Sequence, residues 1–109
     1  MRKEFIYEGT LLQDKTVTYT LTELREICVV EEKVLLEMVE FGILEPKEKR
    51  QQIWIFNANA LDRTQKAMRL HHDLAINWAG ISLILDLLEE IHELRQLAQL
   101  LQDKENQAG

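Results

Sequence analysis

The sequence is short of the residues that build disulfide scaffolds, flexible linkers and basic surfaces. It has one cysteine, Cys28, so no internal disulfide can form, which suits a reducing cytoplasm. Cys28 lies in the apolar run REICVV and reads as a buried, inert thiol. One proline and four glycines leave no low-complexity linker and no glycine-rich phosphate loop. Positive charge is also scarce: 13 Lys and Arg stand against 19 Asp and Glu, a net charge of -6. That balance argues against a general nucleic-acid binder and favours solubility or a basic protein partner. No apolar run approaches the roughly 18 residues needed to span a bilayer. MRKEFIYEG meets Glu4 and Glu8 before any long apolar stretch, so no secretory signal is expected. A cytoplasmic protein without a membrane association is the resulting expectation.

What is present is a patterned chain, 46% hydrophobic and 29% charged, a globular composition for one modest domain or a small domain with an extended helix. TVTYTL (16–21) alternates and is β-branched, which predicts a short strand. Thr20 followed by Glu23 is a capping box, so a helix should begin near Leu21. Its inward face would hold Leu21, Leu24, Ile27 and Cys28. A tight turn near Val29–Glu31 leads to a second helix running to about Phe41. Val34, Leu35, Met38 and Val39 should face inward there, and Gly42 should form a left-handed C-cap. Pro46 then breaks helix. Ile43–Leu44 and Ile53–Phe56 are expected to form the two strands of a hairpin wing, joined by the charged loop EPKEKRQQ.

A third helix should start at an Asn57 or Asn59 cap and run to about Ala75. Its predicted apolar face is Ala60, Leu61, Ala67, Met68, Leu74 and Ala75. Asn77 should cap a fourth helix to about Lys104, with the polar KENQAG frayed. Within that last helix Ile84, Leu87, Ile91, Leu94, Ala98 and Leu101 are spaced 3-4-3-4-3. This is an a/d seam of the kind that pairs two helices, covering fewer than three heptads. It predicts a homodimer, or else a stripe that packs on its own domain.

Catalytic and metal readings find little support. His71 and His72 are adjacent, so they diverge on a helix and do not make the i, i+4 pair of a metal site. No nucleophile has an evident base nearby. No enzyme activity, cofactor or metal is expected. The second helix, by contrast, is distinctive. It carries Glu31, Glu32, Glu37 and Glu40 against a single Lys33.

Helix, turn, helix, hairpin wing and two further helices resemble the MerR-type winged-helix layout. Within that superfamily, VTYTLTEL, GILEP and IWIFNANALDRTQKAMRLHHDLAINWAGISLILDLLEEIHELR are similar to the CbpM family of chaperone modulators, over roughly residues 16–100. The expected fold is mainly α: a MerR-like winged helix-turn-helix with a short β-hairpin and a long C-terminal dimerisation helix. Residues 1–76 would form an N-terminal extension plus the winged domain, 77–105 a coiled-coil-like helix, and 106–109 a flexible tail.

The resemblance implies binding to the J-domain of a CbpA-like DnaJ-type co-chaperone, with inhibition of its work with an Hsp70 and of its DNA binding. The alternatives are a MerR-like transcriptional regulator and a dimeric adaptor for another basic protein. Aligned through Gly42, the superfamily's usual Ser cap falls on Glu31, its Arg on Leu36, its paired aromatics on Glu37 and Met38, and its wing arginine on Trp54. Each departure removes a phosphate donor or adds negative charge, which opposes DNA binding. Lys47, Lys49 and Arg50 on the wing are the remaining argument for DNA, or are simply a solvated loop.

J-domains, by the same implication, present a positively charged second helix to an acidic Hsp70 groove. Glu31, Glu32, Glu37 and Glu40 could mimic that groove. Trp54 would either anchor the partner or cover the core; Phe56 beside it, and Arg69 and Asp73 on the third helix, complete the candidate surface. Arg69 and Asp73 could also pair with each other, and Trp78 is expected to pack at the bend between the last two helices. Ile84, Leu87, Ile91, Leu94 and Leu101 are the candidate dimer contacts.

Overall fold

The computed structural model describes residues 17–108. The predicted N-terminal extension, the reading of its first residues as lacking a leader, and Gly109 lie outside the described residues. The elements in order are β1 (Thr18–Thr20), α1 (Leu21–Cys28), α2 (Glu32–Glu40), β2 (Glu48–Arg50), β3 (Ile53–Asn57), α3 (Asn59–Leu74) and α4 (Trp78–Ala108).

Local cap chemistry explains most boundaries. The Thr20 hydroxyl accepts from the Glu23 N–H at 3.1 Å, and the Glu23 carboxylate accepts from the Thr20 N–H at 2.8 Å. This is the expected capping box, which satisfies two N–H groups at the start of α1. α1 ends at Val29, which adopts the left-handed conformation (φ 54°, ψ 55°). For a β-branched residue that costs on the order of 1–2 kcal/mol. α2 closes as expected at Gly42 (φ 79°). The Ile43 N–H reaches the Met38 carbonyl at 2.8 Å and the Gly42 N–H reaches the Val39 carbonyl at 3.1 Å, a Schellman motif.

That motif turns the chain inward, and the wing differs from expectation. Ile43 and Leu44 are core residues, 1% and 2% exposed, and form no strand. The first wing strand is instead Glu48–Arg50, within what was expected to be a charged loop. Arg50 faces Ile53, Lys49 faces Trp54, and Glu48 faces Ile55. The turn between them, Gln51–Gln52, has φ of 50° and 69°. Two positive φ values make a type I′ hairpin, whose twist matches its strands. β1 pairs along the other edge of β3, giving a three-stranded antiparallel sheet in the order β1-β3-β2.

The core gathers Leu24, Leu35, Met38, Ile43, Leu44, Phe56, Ala67 and Ile81. Ile27, expected inward, is half exposed. On the helical wheel Leu21, Leu24 and Cys28 cluster within about 60°, and Ile27 falls to the other side of Leu24. Neither Asn57 nor Asn59 caps α3. Asn57 ends β3, and the cap position is Ala58 in helical conformation, with no side-chain bond. Ala60 and Ala67 are buried as expected, and Leu61 and Met68 pack on the core. Leu74 is 64% exposed and Ala75 is the exposed left-handed C-cap, because α3 runs past the core by its last turn.

The corner into α4 is held at several points. Asn77 accepts from the Gly80 N–H at 2.8 Å, the expected cap. His71 stacks on half-buried Trp78 with centroids 4.2 Å apart, and its Nδ1 lies 2.9 Å from the Ile76 carbonyl. A Cβ at Gly80 would sit 2.9 Å from the Ile76 side chain, so a larger residue here would have to displace Ile76. α4 is 31 residues long, about 46 Å. Ile81 and Leu85 seat its root in the core. From Asp86 to Gln107 its side chains are exposed. The helix continues to Ala108 instead of ending near Lys104, so KENQA extends it: nothing in that polar segment breaks a helix already propagating.

Candidate functional site

α2 presents one face to solvent. Its inward residues are Leu35 and Met38, flanked by half-buried Val34 and Val39. The opposite face carries Glu32, Lys33, Leu36, half-buried Glu37 and Glu40, with Glu31 at the N-cap. The Glu31 side chain makes no cap hydrogen bond. Among the described residues none of the four glutamates joins an ion pair. Glu32 in the first turn suits the helix dipole, whereas Glu37 and Glu40 stand near its negative end, where the last turn holds no basic residue. Acid there costs a few tenths of a kcal/mol. The acid on this face is therefore placed partly against fold stability.

Leu36 lies one helical turn from both Glu32 and Glu40 and is 40% exposed; Phe41, just past the helix, is 43% exposed. The face is thus an apolar centre in an acidic rim. Sequence reasoning missed Leu36, although its position one turn from two glutamates was a readable signal.

The wing residues divide. Phe56, expected at the partner surface, is 0% exposed and fills the core, so it cannot touch a partner. It alternates with Ile55 along β3, and both faces of that central strand are covered. Trp54 is half-buried against the core, edge-on to Phe56 with centroids 6.4 Å apart. It also walls an open groove of about 330 Å³ with Leu21, Lys49, Gln52 and Ile53. Lys47, Lys49 and Arg50 are exposed, and Arg50 bridges to Glu48.

Arg69 and Asp73 are exposed, and no ion pair joins them among the described residues; Asp73 instead meets His72 Nδ1 at 3.0 Å. Both edge a mainly apolar groove of about 420 Å³ between α3 and α4, with Lys66, Leu70, Leu74, Leu85 and Leu88. Arg63, unremarked in the sequence, is the principal joint. Its Nε donates to the Ile43 carbonyl at 2.6 Å, its Nη1 to Glu89 at 2.6 Å, and its Nη2 to Asp86 at 3.3 Å. Its side chain is only 10% exposed. One arginine thus ties the end of α2 and the body of α3 to the root of α4. The signal was an arginine inside the stripe Ala60, Arg63, Thr64, Ala67 at helical spacing.

Along α4, Leu87, Ile91, Leu94 and Leu101 are 47%, 42%, 58% and 56% exposed. Ile84 is half-buried at the root. Leu88, Leu97 and Leu100 widen this stripe and are also exposed. So long an apolar surface is unusual for a chain that stays single. Cys28 is half-buried, and burial raises its thiol pKa above the ordinary value. Among the described residues no group of three His, Cys, Asp or Glu side chains could hold a metal, and no helix is long and apolar enough to cross a membrane.

Comparison with known proteins places this arrangement. The model of the MerR HTH family of regulatory proteins matches residues 19–103. The chaperone modulatory protein CbpM of Escherichia coli O157:H7 is 38% identical over 89 residues, 82% of this chain and 88% of that protein. CbpM of Shigella boydii serotype 18 matches to the same extent. Among solved structures, a MerR-family transcriptional regulator from Bacillus cereus superposes with a TM-score of 0.55 at 15% identity. That match covers 81% of this chain and 72% of that one, and it establishes the MerR-like fold alone.

Proposed function

The chain belongs to the CbpM family of chaperone modulatory proteins, on the MerR-type helix-turn-helix fold, and from that premise we propose that it binds the J-domain of a CbpA-like co-chaperone and inhibits it. Both the co-chaperone's work with its Hsp70 and its DNA binding would be restrained. The observation that carries this reading is the acid-rimmed, leucine-centred face of α2.

A J-domain offers a basic helix to the acidic groove of its Hsp70. α2 offers the same sign of charge to the same helix, so the two compete. Complementary charge speeds encounter and selects the partner, while a desolvated apolar centre holds the complex. Leu36 supplies that centre, and the glutamates supply the steering. The protein acts by occupancy, without catalysis or cofactor. The same glutamates argue against the alternative of a DNA-reading regulator, since like charges across an interface cost several kcal/mol.

The active form is a homodimer joined through α4. Each half-exposed leucine or isoleucine recovers on the order of 1 kcal/mol when covered. Leu87, Ile91, Leu94 and Leu101, with the widening leucines, from two copies give roughly 14 kcal/mol. Association costs about 4–15 kcal/mol. Against the upper end of that cost the seam leaves no surplus, and the apolar groove between α3 and α4, edged by Arg69 and Asp73, is the surface available for further burial near its root.

The test is calorimetric titration against the intact co-chaperone and against a form lacking its J-domain. Binding to the first alone, with loss of its stimulation of Hsp70 ATPase, supports the proposal. Equal binding to both forms, or none to either, overturns it.

A further inference from the structure

The turn before the acidic helix holds a residue that the fold itself does not favour. Val29 is left-handed, with φ 54° and ψ 55°, a conformation open to glycine and asparagine and strained for a β-branched side chain. Strain of this kind is commonly offset by burial, yet Val29 is 87% exposed. It is the most exposed large apolar side chain among the described residues. Val29 therefore contributes almost nothing to the core and sits in an unfavourable backbone conformation.

Its surroundings suit contact with a second molecule. The turn is fixed: the N–H groups of Val29 and Val30 both reach the Arg25 carbonyl, and Val30 is 5% exposed in the core. An apolar side chain on so rigid a base loses little freedom when it is covered. Ile27, half exposed, precedes it by two residues, and past the buried Val30 come Glu31 and Glu32 at the helix start. An apolar projection beside uncapped acid is complementary to a basic surface that carries an apolar socket.

We propose that Val29 is an apolar anchor of the partner-binding surface, seated in a socket flanked by lysine or arginine on the partner protein. The inference rests on the partner-binding reading above and extends that surface from α2 onto the turn before it. The strain at this position is then retained for binding.

Two substitutions separate binding from folding. Val29→Gly and Val29→Asn both relieve the left-handed strain and remove the branched apolar side chain. Each should raise Tm by about 2–6 °C. Titrated against the intact CbpA-like co-chaperone, each should bind about 5–20-fold more weakly than the unsubstituted protein. A stabilised variant that binds less well is not the signature of a structural residue. Unchanged affinity in both variants overturns the inference while leaving the partner reading intact. Loss of self-association in sedimentation, with partner binding retained per protomer, also overturns it and assigns the turn to contact between copies. Failure of the unsubstituted protein to bind is distinguishable from these, and removes the partner reading and this inference together.

Discussion

Two surfaces of this small protein are exposed, and they are opposites. The face of α2 is short and mainly acidic, with Leu36 one turn from Glu32 and Glu40 and Lys33 as its single base. The face of α4 is long and holds leucine or isoleucine at almost every turn. Charge of one sign repels its own copy and selects a partner of the other sign. An apolar stripe is indifferent to sign and is satisfied by another copy of itself. On the proposed reading, a single chain carries a surface suited to a different protein and a surface suited to its twin. Arg63 stands between them, bonded to the end of the first and the root of the second.

The comparison breaks most completely on the α4 side. Ile91→Asp with Leu94→Asp places charge in the middle of the stripe. Self-association measured by sedimentation should weaken by about 100-fold or more. Partner affinity per protomer should change little. Loss of both together would mean the two surfaces are one.

Arg63→Ala tests the joint. Removing one member of a buried ion pair commonly costs 3–5 kcal/mol. Here Asp86 and Glu89 are 66% and 49% exposed and can be rehydrated. Denaturant unfolding should therefore show a loss of about 2 kcal/mol, mostly from the abandoned Ile43 carbonyl and the vacated space. A loss below about 0.5 kcal/mol would contradict the account of Arg63 as the joint.

Leu36→Ser sharpens the α2 side by keeping its charge and deleting its centre. Partner affinity should fall about 5–10-fold, with a stability loss of about 1 kcal/mol, because Leu36 is 40% exposed and lies within the helix. The smallest effect belongs to Cys28. Burial raises its thiol pKa, so the folded protein keeps the proton that the unfolded chain releases first as pH rises. The stability it contributes is intact below the ordinary thiol pKa and is lost above it. Between about pH 8 and pH 10 the protein should lose slightly more stability than its Cys28→Ala variant.

Legibility followed the range of the interactions. The capping box at Thr20, the turn at Gly42 and the cap at Asn77 rest on bonds between residues three to five apart, and all three are readable. The wing was harder. Gln51–Gln52 forms a type I′ turn without the Asn-Gly that normally announces one, so its strand was displaced onto Ile43–Leu44. The burial of Phe56 is not legible, because alternation along β3 does not reveal that both faces of the strand are covered. Arg63 escaped notice because its partners are 20 to 26 residues away. The acid of α2 was plain in composition, whereas Leu36 and Val29 acquire meaning only from their exposure.

The most direct test of the central claim is the salt dependence of partner binding with the acid reversed. The intact CbpA-like co-chaperone would be titrated into the protein and into its Glu32→Lys, Glu40→Lys double variant, at about 0.05 M and about 0.5 M salt. The account predicts binding that weakens with salt, and at least a tenfold loss in the double variant at low salt with a much smaller loss at high salt. Equal affinity of the two proteins at low salt would contradict it, and would move the partner's site off the acidic face.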